Sequence, residues 1–305
     1  MNASVSPFID LDWDAFDPWR IQPFKHRLVD HPLLQTEQLV ELGKRCRGTT
    51  RWYSFNSDIT AGTDFDDASD LFPTKLSHVD SLKDISNAKA WVLLRHIQAD
   101  PLYRELVDAV INPMQSQIQR KDPGLYYRAG WIFSASPNTA TPFHIDRSHV
   151  FLFQVRGTKT VYVWDAEDTE VCSDRARDGF HMRHDLSRAP WHEEFRQRAH
   201  VFTLSPGTGV YMPLTSPHMV ETSQEASTTI SFTYNTDATR RNARVHVMRE
   251  MLHRIGMKPP AYGKNQAFDF AAFAAASAIA VCHGPGGHPP TCPSLVKKSE
   301  YAVAD

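Results

Sequence analysis

Hydrophobic and polar positions divide the chain into three regions, of which the first covers residues 1–120. Here "TEQLVELGKRC" (Thr36–Cys46) repeats its apolar residues at the helical period and stops just before a glycine. "NAKAWVLLRHIQ" and "DPLYRELVDAVI" show the same period, and the second follows a capping Asp100 with Pro101 at the first helical position. We predict a mixed, mainly helical segment that packs on the rest of the protein.

One stretch of this first region is different in character. "DITAGTDFDDASDLFP" (Asp58–Pro73) is polar and rich in turn residues. It predicts a surface loop or a lid.

The second region, residues 121–237, carries short runs of β-branched and aromatic residues that are separated by Gly, Pro, Asn or Ser. The runs are "LYYRAGWIFSA", "HVFLFQVRG", "KTVYVWD", "HVFTLSPGTGVYMP" and "TTISFTYNT". Strands at this spacing are typical of an antiparallel barrel or sandwich. A long charged insertion interrupts them after Trp164.

The third region, residues 238–305, returns to a helical pattern. "TRRNARVHVMREMLHRIG" predicts an amphipathic helix that ends at Gly256, and "FAAFAAASAIAVC" (Phe270–Cys282) predicts a second, packed helix. The Pro- and Gly-rich tail after Gly284 is expected to be loose.

Composition and charge narrow the classes of function. With 33 Lys+Arg against 35 Asp+Glu, the net charge of −2 predicts no broad basic surface, so we expect no nucleic-acid partner. The first residues lack the pattern of a secretion signal, and no apolar run reaches the ~20 residues that span a bilayer. Four cysteines without a CxxC spacing favour a reducing compartment. We therefore expect a cytoplasmic protein that does not enter a membrane.

The stretch "TPFHID" (Thr141–Asp146) raises the first chemical question, because strand alternation would put His144 and Asp146 on one face. Both residue types bind first-row metals, and two His with one carboxylate leave open positions on an iron. The spacing alone is weak, since 15 His and 24 Asp give about one such pair by chance. A second pair, His78 and Asp80, lies in a polar run that leads into a helix, whereas the first leads into a strand-turn-strand.

A third ligand is expected from a later strand of the same barrel. "LSPGTGVYMPLTSPHMVE" supplies His218 at the start of an apolar segment, after a loop whose prolines restrict the backbone. His144, Asp146 and His218 together are the predicted metal site.

Lys159 follows the turn "RGT" and shares a strand face with Val161 and Val163. Two interpretations remain open. The lysine either lies at the rim and extends its ammonium to solvent, or meets the carboxylate of a bound ligand inside the barrel.

Other groups of candidate residues are weaker. The tail residues Cys282, His283, His288 and Cys292 could bind zinc on paper, but their spacing matches no common finger, and a flexible tail is the plainer interpretation. Three histidines of the insertion lack the HExxH pattern and are expected on the surface: His181, His184 and His192. Tyr126, Arg128 and Trp131 either line the pocket or belong to the core.

Taken together, the motifs resemble the JmjC-type cupin oxygenases, which depend on iron(II) and 2-oxoglutarate. The likeness is greatest to the bacterial cupin-like branch related to the asparaginyl hydroxylase factor inhibiting HIF. It rests on "TPFHID", on "FLFQVRGTKTVYVWD" with Lys159 thirteen residues after Asp146, and on "SPGTGVYMPLTSPHMVE", and it covers about residues 126–234. It implies a mainly β fold with flanking helices, namely a double-stranded β-helix of the cupin or jelly-roll type. It also implies a homodimer formed through the C-terminal helices.

The resemblance assigns roles to individual residues. The iron ligands, which are also the catalytic residues, are His144, Asp146 and His218. Thr141 and Lys159 hold the distal carboxylate of 2-oxoglutarate, and Thr233 lies near this cosubstrate. Val150 stands where the asparaginyl hydroxylase has an amide side chain, so the substrate of that enzyme is no guide here.

The implied reaction uses O2 to hydroxylate a C–H bond with release of succinate and CO2. An amino acid, a protein side chain and a small metabolite all remain open as substrates. A cupin that binds a metal or small ligand without redox turnover, as a sensor or regulator, is the alternative. A metal-dependent cupin isomerase, or a dioxygenase without cosubstrate, is a third interpretation.

Overall fold

Twelve β-strands form the framework of a computed structural model that describes residues 6–282. Their bounds are β1 (Ile9–Asp10), β2 (Gln22–His26), β3 (Trp52–Asn56), β4 (Ala90–Leu94), β5 (Tyr126–Ala135), β6 (Ala140–His144), β7 (His149–Arg156), β8 (Lys159–Val163), β9 (His200–Leu204), β10 (Thr208–Met212), β11 (His218–Thr222) and β12 (Ser227–Asn235). Each of the five runs predicted as strands contains one or two of them.

Seven α-helices occur in the described part of the chain. They are α1 (Thr36–Arg45), α2 (Ala68–Leu71), α3 (His78–Lys83), α4 (Pro101–Lys121), α5 (Asp174–Arg183), α6 (Asp237–Arg254) and α7 (Gln266–Cys282). The predicted cap of α4 is confirmed, because the Asp100 carboxylate accepts the Leu102 N–H at 3.1 Å. None of the helices in residues 6–282 is long and apolar enough to cross a membrane.

The strands form two antiparallel sheets. The larger has the order β1-β2-β10-β7-β12-β5-β4-β3, and the smaller has the order β6-β11-β8-β9. Strands far apart in the chain are neighbours in both sheets, as for β7 with β12 and β6 with β11. This is the double-stranded β-helix, mainly β with flanking helices, that the sequence predicted.

Two apolar clusters hold these sheets in place. One joins α1 and α4 to one face of the larger sheet and includes Leu42, Tyr103 and Phe232. The other lies between the sheets: Val150, Leu152, Val210 and Met212 come from the larger sheet, and Val161, Val163, Leu204 and Val220 from the smaller. The second cluster defines the interior of the barrel.

Strand β4 corrects the sequence prediction, which assigned "NAKAWVLLRHIQ" to a helix. All five residues of Ala90–Leu94 are buried. Val92 belongs to the cluster under the helices, whereas the Trp91 ring stacks on Phe55 at 4.5 Å. A short run that is apolar on both sides fits a buried helix or a buried strand equally well, and only pairing with β3 and β5 decides between them.

Residues 167–190 and 237–282 form a compact unit of their own, apart from the unit of residues 6–166 and 191–236. The charged insertion supplies α5 to this unit, and the C-terminal region supplies α6 and α7. The apolar packing face predicted for α6 is wrong, because its buried residues are mainly polar: Thr239, Asn242, Val245, His246, Arg249 and Glu250.

Buried charges in this unit are paired. The Asp178 carboxylate contacts His246 at 2.7 Å and Arg249 at 3.0 Å. His181 was expected on the surface, and this prediction is wrong: it is buried and its ring stacks on His246 with centroids 5.2 Å apart. His184 is half-buried, and His192 is exposed as predicted. The zinc site considered in the tail lies outside the residues whose side chains are described.

Candidate metal centre

Two of the predicted ligands lie directly opposite each other on neighbouring strands of the smaller sheet. His144 ends β6, His218 begins β11, and the register pairs them directly. Their ring centroids are 4.1 Å apart. Antiparallel neighbours in register present their side chains on the same face, so the sheet brings together two residues that are far apart in the chain.

Both imidazoles are held in the same tautomer. The Nδ1–H of His144 donates to the Pro142 carbonyl at 2.7 Å, and the Nδ1–H of His218 donates to the Ser216 carbonyl at 3.0 Å. In each case the acceptor lies two residues earlier in the chain. A carbonyl on Nδ1 leaves Nε2 as the lone-pair nitrogen, which is how metal-binding histidines are commonly oriented.

Asp146 reaches this pair from the turn that follows β6. Strand alternation therefore does not explain its direction, contrary to the sequence prediction, because β6 ends at His144. The Asp146 carbonyl accepts the Thr215 N–H at 2.8 Å, which ties this turn to the loop that leads to His218. The Asp146 carboxylate lies 3.7 Å from His218 Nε2.

The three side chains form a group with the composition of a metal site. Their nearest ligand atoms lie within 4.8 Å of one another, and no other such group occurs among residues 6–282. Burial lowers the pKa of His144 to about 4, with a further contribution from the neighbouring His218. The imidazole is therefore neutral at pH 7, as a ligand must be. Two imidazoles and one carboxylate suit Fe(II) and related first-row ions, with open positions for further ligands.

Lys159 lies on the inner surface of the same sheet. It pairs with Thr222 on β11, and the next inward residues of β8, Val161 and Val163, belong to the cluster between the sheets. Its side chain is only 5% exposed, and it forms no salt bridge within the described residues. Burial lowers its pKa to about 7. The rim interpretation is therefore wrong, and the lysine lies inside the barrel.

The other two predicted cosubstrate residues are each held by a tryptophan. The Trp91 indole N–H donates to the Thr141 hydroxyl at 2.9 Å, and the Trp131 indole N–H donates to the Thr233 hydroxyl at 3.3 Å. Thr233 pairs with Val150, an inward residue of β7, so it also faces the barrel interior. Trp131 is half-buried beside Thr233. Of Tyr126, Arg128 and Trp131, it is the residue that this hydrogen bond places beside the barrel interior.

The second His-x-Asp pair has a structural role. The His78 Nε2–H donates to the Gly43 carbonyl at 2.9 Å, and the ring stacks on Trp52. Asp80 lies on another side of α3, where it pairs with Lys83 at 2.7 Å. Side chains two residues apart on a helix point in different directions, so His78 and Asp80 cannot share a metal.

Sequence reasoning missed two aromatic residues at the centre. Trp91 was assigned to a helix, so its contact with Thr141 could not be anticipated. Phe65 lies in the predicted polar loop, yet it is buried and its ring stacks on His144 with centroids 4.8 Å apart. The sequence held one signal for its burial, which is that Phe65 is the only aromatic residue in the acidic run "DFDD".

A cleft of about 560 Å³ lies elsewhere in the same unit and includes none of the metal-site residues. Its charged lining residues are paired with one another, since Arg196 contacts Glu193 and Glu221 at 2.5 Å each. The barrel interior, not this cleft, holds the chemically matched groups.

The fold is a cupin barrel, a double-stranded β-helix whose interior carries a group of two histidines and one carboxylate. The family follows from the sequence match: the model described as "Cupin-like domain" matches residues 9–240, and the chain belongs to this family.

Solved structures give more distant likenesses. The chain is similar to YcfD of Escherichia coli, with 13% identity over 91% of this chain and 69% of that one and a TM-score of 0.49. YcfD described as a ribosomal oxygenase, in complex with cobalt and 2-oxoglutarate, matches with 12% identity, 94% and 77% coverage and a TM-score of 0.46. The DMSP lyase DddQ of Ruegeria pomeroyi matches with 15% identity, 35% and 38% coverage and a TM-score of 0.23. A comparison with curated proteins found no match. With identities of 12–15% and TM-scores below 0.5, these likenesses are too distant to bear on activity.

Proposed function

We propose that the protein is an Fe(II)- and 2-oxoglutarate-dependent oxygenase that hydroxylates a C–H bond. The observation that carries this proposal is Lys159, a buried lysine without a counter-ion in the described chain, on the same inner surface as the metal-ligand group. A buried ammonium is costly unless an anion pairs with it. An anionic ligand that also reaches the metal resolves this cost.

The spacing fits a dicarboxylate with a chelating end. His218 pairs with Val163 on β8, and Lys159 lies four residues earlier on that strand, about 13 Å away along it. The lysine stem spans part of this distance, and a five-carbon acid spans the rest. 2-Oxoglutarate has a keto-acid group for the metal and a distal carboxylate for the ammonium.

Thr141 supplies a second donor for the distal carboxylate. Its hydroxyl oxygen already accepts the Trp91 N–H, so its own O–H proton is available to donate. Thr233, held in the same way by Trp131, supplies a third hydroxyl on the opposite sheet. These fixed donors would orient the cosubstrate without rearrangement of the barrel.

The protein residues and the bound groups divide the work. Iron with 2-oxoglutarate and O2 would supply the oxidising chemistry, with succinate and CO2 released as the substrate C–H becomes C–OH. His144 and His218 would each offer Nε2 to the metal, because Nδ1 is bonded to a backbone carbonyl, and Asp146 would offer a carboxylate oxygen. Asp146 is 44% exposed, so the site is open to a substrate on that side. We include free amino acids, protein side chains and small metabolites as candidate substrates.

A non-redox cupin that binds metal and a small ligand as a sensor is the second candidate. It accounts for the three ligands equally well but gives no separate reason for the buried Lys159. Calorimetry separates the two. 2-Oxoglutarate should bind the protein loaded with Mn(II), a stand-in for Fe(II), and should not bind the metal-free protein or the Lys159→Met variant. Metal binding without 2-oxoglutarate binding would leave the sensor as the better account.

Turnover gives the direct test. Purified protein with Fe(II), ascorbate, 2-oxoglutarate and a suitable substrate should release succinate, and Asp146→Ala should release none. Continued succinate release by that variant would refute the oxygenase assignment.

The C-terminal helices carry our proposal for assembly, a homodimer. Phe270 on α7 and Ile255 and Met257 after α6 are large apolar residues that are more than half exposed. A monomeric mass by light scattering at micromolar concentration would contradict this.

A further inference from the structure

The loop of residues 57–73 lies against one of the metal ligands. Its Phe65 is 8% exposed although aspartates flank it on both sides. The Phe65 ring is nearly parallel to the His144 imidazole, with an interplanar angle of 17° and centroids 4.8 Å apart. The stack restrains the imidazole through its face, whereas hydrogen bonds to the ring nitrogens lie in the ring plane.

The same phenyl ring touches the residue that supports Thr141. Phe65 and Trp91 form an edge-to-face pair with centroids 5.9 Å apart and an angle of 88°. Trp91 in turn donates its indole N–H to Thr141. One side chain of the loop therefore contacts both a metal ligand and the support of a proposed cosubstrate residue.

Phe65 is itself fixed by hydrogen bonds from β3 and β6. The Tyr53 hydroxyl donates to the Phe65 carbonyl at 3.0 Å and accepts the Ser69 N–H at 3.1 Å, so it holds the backbone of Phe65 and of the residue four positions later. The Phe143 N–H donates to the Ala61 carbonyl at 2.9 Å, beside the ligand strand. Hydrogen bonds at Ala61, Phe65 and Ser69 therefore anchor this part of the loop to β3 and β6.

We propose that Phe65, held by Tyr53, is a positioning residue of the metal centre that sets the ring plane of His144. The bond from Nδ1 to Pro142 fixes one direction within the imidazole plane, and the stack fixes the plane itself. Together they set the direction of the Nε2 lone pair. Metal sites need ligand directions within about 10–20° of the productive geometry, so loss of the stack weakens binding. The inference rests on the proposed function, since it requires His144 to be a ligand.

The test uses Co(II) as a spectroscopic probe of the full-length protein. Phe65→Leu keeps an apolar side chain but removes the flat ring, and Tyr53→Phe removes only the bridging hydroxyl. The matched control is Tyr103→Phe, which removes another tyrosine hydroxyl that contacts two backbone carbonyls, those of Leu33 and Gln38, outside the metal centre. Co(II) affinity and the visible absorption bands of the bound ion are measured for each.

Phe65→Leu should bind Co(II) about tenfold more weakly than the wild type, the scale seen when the support of a metal ligand is removed, and should shift the absorption bands. Tyr53→Phe should change both in the same direction and by less. Tyr103→Phe should lower thermal stability without changing the Co(II) affinity or the absorption bands. The effects of Phe65→Leu and Tyr53→Phe should not add in the double variant, because both act through one contact.

The outcomes separate the two levels of inference. A wild-type protein that binds no Co(II) would refute the proposed function. A wild-type protein that binds Co(II), with a folded Phe65→Leu variant of unchanged affinity and spectrum, would refute the positioning role alone. If Phe65→Leu does not fold, Tyr53→Phe decides: wild-type behaviour in that variant refutes the role, and a shifted spectrum supports it.

Discussion

His144 and His218 are 74 residues apart in the chain and directly opposite each other in the sheet, with ring centroids 4.1 Å apart. Each donates its Nδ1–H to the carbonyl two residues before it. The barrel thus holds two Nε2 nitrogens close together. Asp146 completes the group from the adjoining turn.

The first prediction concerns this group. Asp146→Ala should weaken Mn(II) or Co(II) binding by at least about 100-fold, because the only anionic ligand is lost and two imidazoles remain. Titration calorimetry measures the change. Asp80→Ala is the matched control, since Asp80 belongs to the His-x-Asp pair on α3 and bonds to Lys83. Similar losses in both variants would contradict the assigned site.

The second prediction concerns the charge of Lys159. Burial lowers its pKa to about 7, so the ammonium of the free protein loses its proton above that pH. A bound carboxylate favours the protonated form. 2-Oxoglutarate affinity should therefore fall by about tenfold per pH unit above pH 7, with proton uptake on binding at pH 8.

Calorimetry at pH 8 in two buffers of different ionisation enthalpy measures this uptake directly. Lys159→Gln has no titrating group and should bind weakly at every pH. Wild-type binding that is independent of pH between 7 and 9 would contradict this coupling, and strong binding by Lys159→Gln would show that Lys159 does not contact the ligand.

The third prediction concerns stability in acid. The His26 Nε2–H donates to the Gln154 carbonyl at 2.9 Å, and its Nδ1 accepts the Leu28 N–H at 3.2 Å, so the neutral ring is fully bonded. Burial lowers its pKa from 6.5 to about 4. As pH falls below 6.5 the unfolded chain takes up this proton first, and the folded state is destabilised until about pH 4, by at most ~3 kcal/mol.

Urea unfolding of metal-free protein at pH 7 and pH 4.5 tests this. His26→Gln keeps a side-chain donor but cannot titrate in this range, so its loss of unfolding free energy on acidification should be smaller than that of the wild type. The remainder comes from other buried histidines such as His96, whose pKa is also lowered to about 4. If His26→Gln loses as much unfolding free energy between pH 7 and pH 4.5 as the wild type does, the role of His26 is contradicted.

The fourth prediction concerns the turn before Lys159. Gly157 has φ of +70°, and a Cβ there would collide with the Ala226 carbonyl oxygen. Gly157→Ala should destabilise the fold by about 2–4 kcal/mol and disturb 2-oxoglutarate binding, because the turn sets the register of β8. Gly48 has the same φ with open space around it, so Gly48→Ala should cost only about 1 kcal/mol. Equal unfolding midpoints in urea for the two variants would show that the collision is relieved.

Residues whose neighbours in the chain determine their environment were predictable. Strands β5, β7, β8 and β12 alternate with turn residues and formed where expected, and Asp100 caps α4. The segment around Trp91 failed because five buried apolar residues carry no period. His181 failed because charged neighbours in the chain say nothing about the helix packed against it.

The amino-acid sequence by itself determined the β-rich barrel, the three ligand positions as candidates, and the presence of a lysine on an apolar strand face. Only the tertiary structure decided that Lys159 is buried, that Asp146 lies in a turn, and that the Phe65 ring of the acidic loop stacks on His144. The physical reason is the range of the interactions. Periodicity and turn chemistry act over a few residues, whereas burial and ring contacts depend on segments that only the folded sheets bring together.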